Sequence, residues 1–78
     1  MYYVYILLLS NDAYYVGQTA NLRQRIDSHD NGEVLSTVNH RPHRLVWYCA
    51  FTSKGKALAF EKYLKTASGK ALRNKRLI

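Results

Sequence analysis

Apolar residues crowd the beginning of the chain. Residues 2–9 read YYVYILLL, an aromatic and β-branched run too short for an independent helix, and predict a strand over Tyr2–Leu9. Ser10-Asn11-Asp12 has turn chemistry, and Ala13–Gly17 (AYYVG) predicts a second strand closing a hairpin. Side chains alternate faces along a strand. Tyr3, Tyr5 and Leu7 therefore share one face of the first strand, with Val4, Ile6 and Leu8 on the other. Tyr15 and Gly17 share a face of the second strand, opposite Tyr14 and Val16. The near-continuous apolar character implies that both faces of the sheet are at least partly covered. Asn21, with Gln24 three places on, is a capping-box start for a helix, and Gly32 is its stop signal. Leu22, Arg25, Ile26 and His29 fall on one stripe of that helix. Gly32–His43, with the single proline, reads as a loop. Arg44–Thr52 (RLVWYCAFT) reads as a third strand, its Trp47-Tyr48 as ordinary strand packing. A second helix is expected from near Ser53 to about Thr66, with Ala57, Phe60, Leu64 and Ala67 as its apolar stripe. Ser68-Gly69 is expected to break it, and Lys70–Ile78 to form a last short helix. The order β-β-α-β-α-α on three strands is an α+β pattern.

The 78 residues allow one small domain, 1–78, with a thin stability margin. An apolar fraction of 47% with ten aromatic residues is enough for a core and excludes wholesale disorder. A lone cysteine, Cys49, excludes an internal disulfide and a cysteine-rich zinc site. The apolar N-terminus carries no basic leader and is far shorter than the ~20 residues that a membrane span needs. A soluble, reducing, cytoplasmic setting is expected, with no membrane partner. Charge is uneven. Met1–His40 holds two cations and four anions, whereas Arg41–Ile78 holds ten cations and one anion, Glu61. Such a basic half suits a polyanionic partner, or else a solubilising surface.

Three groups could carry chemistry. Tyr5 and Tyr15 would project from neighbouring strands on one face, as a site or as half-core packing. Arg25 and His29, at i,i+4, share one helix face. A half-buried arginine calls for a counter-charge such as a phosphate, unless its stem packs on the sheet while its head reaches water. His29 would also serve as a helix C-terminal cap. Glu61 flanks the apolar stripe of the second helix. A single carboxylate with waters and substrate phosphates is how Mg²⁺ is often held. The alternative is an exposed Glu61–Lys65 pair worth only ~0.5 kcal/mol. His40 and His43 flank Arg41-Pro42 with no acidic or cysteine neighbour, so no metal role is read for them.

Tyr3-Val4-Tyr5, nine residues, then Tyr15-Val16-Gly17 resembles the paired signature of the GIY-YIG nucleases. The likeness continues through Gln18, Thr19, Leu22, Arg25, Ile26, His29 and Gly32. Ala57–Lys65 (ALAFEKYLK) resembles the glutamate-bearing helix of that family, and the closing Lys-Arg-Leu-Ile resembles the end of its small stand-alone bacterial members. The resemblance implies a three-stranded antiparallel β-sheet flanked by α-helices. It also implies cleavage of DNA phosphodiesters with one divalent ion, Mg²⁺ or Mn²⁺. By resemblance Tyr5 and Tyr15 are the motif tyrosines, Arg25 contacts the scissile phosphate, His29 occupies the family's His/Tyr position, and Glu61 binds the metal. Hydrolysis needs an activated water and stabilised phosphoryl oxygens. A tyrosine of pKa about 10 needs nearby cations before it can act as a base at neutral pH. Tyr15 is the favoured base, with His29 as rival.

The chain departs from the signature at Tyr3, which replaces its first glycine, and at Val4 and Val16, which replace isoleucines. Gln18 stands where the excision-repair branch has a lysine. Uncharged, it leaves the lowering of a tyrosine pKa to His29, Arg25 or the metal. Gln18, Thr19, Arg23, Lys62 and Lys65 are the expected nucleic-acid contacts. The leading expectation is a metal-dependent DNA endonuclease, for DNA repair or recombination, that has little sequence specificity unless it forms a homodimer or joins a larger repair complex. A catalytically weak or inactive nucleic-acid-binding module, and a protein-interaction domain on the same fold, are the alternatives.

Overall fold

β1 (Tyr2–Leu8) is the middle strand of an antiparallel sheet, flanked by β2 (Tyr14–Thr19) and β3 (Arg44–Phe51) in the order β2-β1-β3. The computed structural model describes residues Met1–Ile78. The central place of β1 explains its unbroken apolar run, since Val4, Tyr5, Ile6 and Leu7 are all buried. Val4 and Ile6 join Val16, Ala57 and Leu64 on one face; Tyr5 and Leu7 join Leu9, Tyr15, Leu22, Ile26 and Leu45 on the other. β2 runs two residues past its expected end because Gln18 and Thr19 still pair with Val4 and Tyr3. An irregularity in the β1–β3 ladder lets Trp47 pair with Ile6 and Leu45 with Leu7, skipping Val46.

α1 (Leu22–Asp30) starts as its sequence dictates. The Asn21 side chain accepts a hydrogen bond from the Gln24 amide at 3.1 Å. The helix ends on Gly32 at φ 75°, with the Gly32 amide bonded to the His29 carbonyl and the Glu33 amide to that of Ser28. This left-handed close favours glycine. The expected loop 32–43 contains one short 3₁₀ turn, Val38–His40.

α2 (Lys54–Leu64) is capped by Ser53 and buries Ala57 and Leu64. The chain breaks at Lys65-Thr66, not at Ser68-Gly69. The Thr66 hydroxyl donates to the Tyr63 carbonyl at 2.6 Å and accepts from the Gly69 amide at 3.1 Å, which opens α3 (Ala67–Leu72) straight through Ser68-Gly69. Ala67 is thus exposed at the start of α3 and does not extend the stripe of α2. A π-helical segment, Arg73–Leu77, continues from α3 in place of a separate helix from Lys70. The architecture is α+β, in the order β-β-α-β-α-α. No helix is long and apolar enough to cross a membrane.

Candidate active site

Strand parity sets two phenols on the α1 side of the sheet. Tyr5 pairs with Gly17 and Leu7 with Tyr15, so Tyr5 and Tyr15 occupy one face with ring centroids 6.3 Å apart. Gly17 is where the backbone must be bare, because a Cβ there would overlap the Tyr5 hydroxyl oxygen. His29, on the last turn of α1, completes a triangle at 5.6 Å from the Tyr5 ring and 5.1 Å from the Tyr15 ring.

Tyr5 and His29 are wholly buried, yet each is satisfied. The Tyr5 hydroxyl lies 2.8 Å from His29 Nε2, and His29 Nδ1 lies 2.7 Å from Thr37 Oγ1. Thr37, also wholly buried, donates to the Val34 carbonyl at 3.5 Å. That bond uses the only Thr37 hydroxyl proton, which orients the chain. His29 Nδ1–H donates to Thr37, and the Tyr5 hydroxyl donates to the bare Nε2. His29 is accordingly neutral near pH 7, its pKa pushed down to about 4 by burial first, then by the Arg25 charge and by His43. Burial also raises the Tyr5 pKa, a change the neighbouring Arg25 guanidinium opposes.

Arg25 stands one turn before His29, half-buried. The Tyr5 phenol, and to a smaller degree the Tyr15 phenol, hold it still more firmly protonated against the cost of its own burial. Glu61 lies on α2, and its charge reaches the Tyr5 phenol, disfavouring the phenolate. Its side chain is only 19% exposed. Its Oε2 also accepts from Lys65 Nζ at 2.7 Å. The donor chemistry fits a hard divalent cation held by one carboxylate, waters and a substrate oxygen. It does not fit a site of three or more His, Cys, Asp or Glu ligands, since no such group exists.

The five residues do not line one open pocket. Tyr15 alone of them lines a cavity, of about 250 Å³, with Tyr14, Val16, Leu64, Lys65, Lys70 and Arg73. The expected nucleic-acid contacts are dispersed. The Thr19 hydroxyl is engaged with the Asn21 backbone, and Gln18 sits on the opposite face of β2 from Thr19. Arg23 borders a groove with Tyr3 and Tyr48, and Lys62 is exposed on α2.

Two residues of this neighbourhood are not read from the sequence as part of the site: Thr37, which gives no sequence signal, and His43, which the sequence offers only as half of a histidine pair without an acidic neighbour, whereas the fold sets Asp30 beside it. Thr37 reaches His29 only through the fold of an aperiodic loop. His43, from the same loop, sets its ring edge-on to His29 at 5.6 Å. Its side chain is 1% exposed, and its Nδ1 is 3.4 Å from Asp30 Oδ1.

The same arrangement of elements occurs in a UPF0213 protein of Bacillus halodurans solved by solution NMR. It aligns with a TM-score of 0.62 at 33% identity, over 99% of this chain and 87% of that one. A UPF0213 protein of Clostridium perfringens is 38% identical over 78 residues, covering 99% of this chain and 80% of its own length. One from Staphylococcus haemolyticus is 37% identical over 68 residues, covering 86% and 83%. The GIY-YIG catalytic domain profile matches residues 1–76. With its hairpin tyrosines, its arginine and histidine on α1 and its glutamate on α2 in the family's order, the chain belongs to the GIY-YIG family, beside the small UPF0213 proteins of bacteria.

Proposed function

We propose that residues 1–78 act as one GIY-YIG unit that hydrolyses DNA phosphodiester bonds with the help of a divalent cation. The observation that carries this reading is the buried Tyr5–His29–Thr37 chain, with the Tyr15 ring set against His29 and Arg25 one turn earlier on the same helix. Glu61 would hold Mg²⁺ or Mn²⁺, which when bound supplies positive charge at the phosphoryl oxygens and a more acidic water. Lys65, whose side chain is 53% exposed, must release Glu61 for this. Arg25, half-buried on α1, pairs with a non-bridging oxygen of the scissile phosphate. Tyr15 is half-buried, where water can approach it; once its own hydroxyl proton has passed to bulk solvent, the phenolate takes the proton of the attacking water. His29 cannot meet that water directly, since its ring is covered and both nitrogens are engaged. Its part is positional: it holds Tyr5 as a neutral hydroxyl and presents a ring edge to Tyr15.

Two observations favour a second reading, a nucleic-acid-binding module without cleavage. Glu61 is already paired with Lys65, and Gln18 brings no cation to the tyrosines. Nicking of supercoiled plasmid separates the two. Cleavage is expected with Mg²⁺ or Mn²⁺, lost with EDTA, and reduced at least about 100-fold in Glu61→Gln. Equal cleavage by wild type and Glu61→Gln overturns the enzyme reading; DNA binding without metal-dependent cleavage establishes the module. Target selectivity would then come from a second copy or a larger repair assembly. A reducing, cytoplasmic setting suits the unpaired Cys49.

A further inference from the structure

The cavity that shares Tyr15 with the candidate site is the most basic concavity of the molecule. Its floor is Val16 and Leu64 and its walls include the rings of Tyr14 and Tyr15. Its charged lining is Lys65, Lys70 and Arg73, with no carboxylate among the lining residues. It runs beside β2, an edge strand with one side unpaired by the sheet. Lys65 reaches back to Glu61, while Lys70 and Arg73 enter no ion pair. The Arg73 guanidinium carbon lies 4.8 Å from the centre of the Tyr14 ring, and its Nε donates to Asn74 Oδ1 at 3.1 Å. Both contacts hold the planar group while leaving its terminal nitrogens free. A guanidinium so held is arranged in advance for two parallel bonds to a phosphate. Like charges gathered over one hollow repel one another, and no carboxylate of the chain pairs with Lys70 or Arg73.

We infer that this hollow is a phosphate subsite for the DNA strand whose cleavage is proposed above. Lys70 and Arg73 grip a phosphodiester next to the one presented to Arg25 and Glu61. The inference rests on the nuclease reading for its ligand. A volume of about 250 Å³ admits a phosphate with part of its sugars. It falls below the roughly 300–1,000 Å³ of pockets that enclose whole drug-sized ligands, so a backbone unit suits it better than an enclosed nucleoside. Tyr15 borders both places and lies between the strand's chemistry and its anchor. The subsite also accounts for α3, which adds no residue to the candidate active site but carries Lys70 and leads directly into Arg73.

The test is fluorescence anisotropy of a labelled 20-base-pair duplex in EDTA across a salt series. It compares wild type, Lys70→Gln/Arg73→Gln, Lys70→Gln alone, and Lys54→Gln/Lys56→Gln. The last removes equal charge on the first turn of α2, about 15 Å along the helix from Leu64. Circular dichroism melts confirm folding, and Lys70→Gln alone, at an exposed position, keeps the test decisive should Arg73 be needed for stability. The pocket double variant is expected to bind about tenfold more weakly, with the slope of log affinity against log salt shallower by about 1. Lys70→Gln is expected to weaken binding about threefold, and the control by less than twofold. Pocket variants no weaker than the control, in a wild type that binds and nicks DNA, overturn the subsite alone. A wild type that does not bind the duplex overturns the subsite and the nuclease reading together.

Discussion

His29 is the side chain on which the site's polar order turns. Its two nitrogens have different neighbours, a phenol at 2.8 Å and a threonine hydroxyl at 2.7 Å, and the phenol contact does not survive unchanged if both nitrogens carry protons. Protonation would remove the acceptor that Tyr5 uses and place a buried charge beside Arg25. The pKa of about 4, against an ordinary 6.5, expresses that penalty. The sign follows from proton counting: the unfolded chain binds a proton on this histidine below about pH 6.5, while the folded one refuses it until about pH 4. Stability from this residue is therefore complete above pH 6.5 and drains away as the pH falls toward 4. The loss by pH 4 is about 3 kcal/mol. Urea denaturation between pH 7 and 4 should show wild type losing that much more than His29→Gln, in which the titration is absent while other carboxylate effects remain. Parallel pH profiles for the two proteins would mean that His29 titrates freely.

At the scale of elements, two glycines separate what local pattern can say from what it cannot. Gly32 was readable, because a helix C-terminus needs a left-handed residue and the stripe of α1 stops just before it. Gly69 was misread as a breaker, because its role is tertiary. A Cβ at Gly69 would overlap the Tyr63 carbonyl of α2, so glycine permits the close approach of α3 to α2 inside a helix that continues. Gly17 is the strand counterpart, with the Tyr5 ring lying across it. Gly17→Ala should cost ~1–3 kcal/mol, since the ring it displaces is fully buried. Gly69→Ala should cost as much or more, because the obstacle is backbone and can move only by parting the two helices. Urea midpoints would refute both if either variant stayed within about 0.5 kcal/mol of wild type. The site divides in the same way. Tyr5 and Tyr15 on one face, and Arg25 with His29 on another, follow from the periods of strand and helix. Where Glu61 sits depends in addition on how α2 packs on the sheet. Thr37 and His43 lie in a segment with no period, and only the closed loop brings them to His29.

For the molecule as a whole, size and charge set how DNA can be recognised. The extents are 28 × 25 × 17 Å. At ~3.4 Å per nucleotide of a duplex strand, the longest axis spans about eight phosphates. Sequence is read by side chains inserted among base edges, usually from an exposed helix or ribbon. Here α1 is only nine residues long, carries Leu22 and Ile26 into the apolar cluster and buries His29. α2 gives its Ala57–Leu64 stripe to the other face of the sheet. The cations that remain are concentrated beyond His40, where they meet backbone better than bases. Binding by these 78 residues should thus be electrostatic and nearly blind to sequence. Competition between unrelated 20-base-pair duplexes of equal length should give affinities within about tenfold of one another, all weakening together as salt rises from 50 to 200 mM. A single duplex sequence preferred by a factor of a thousand, which specific binders commonly reach, would show that base edges are being read and that the faces of α1 and α2 are less committed to the core than their packing indicates.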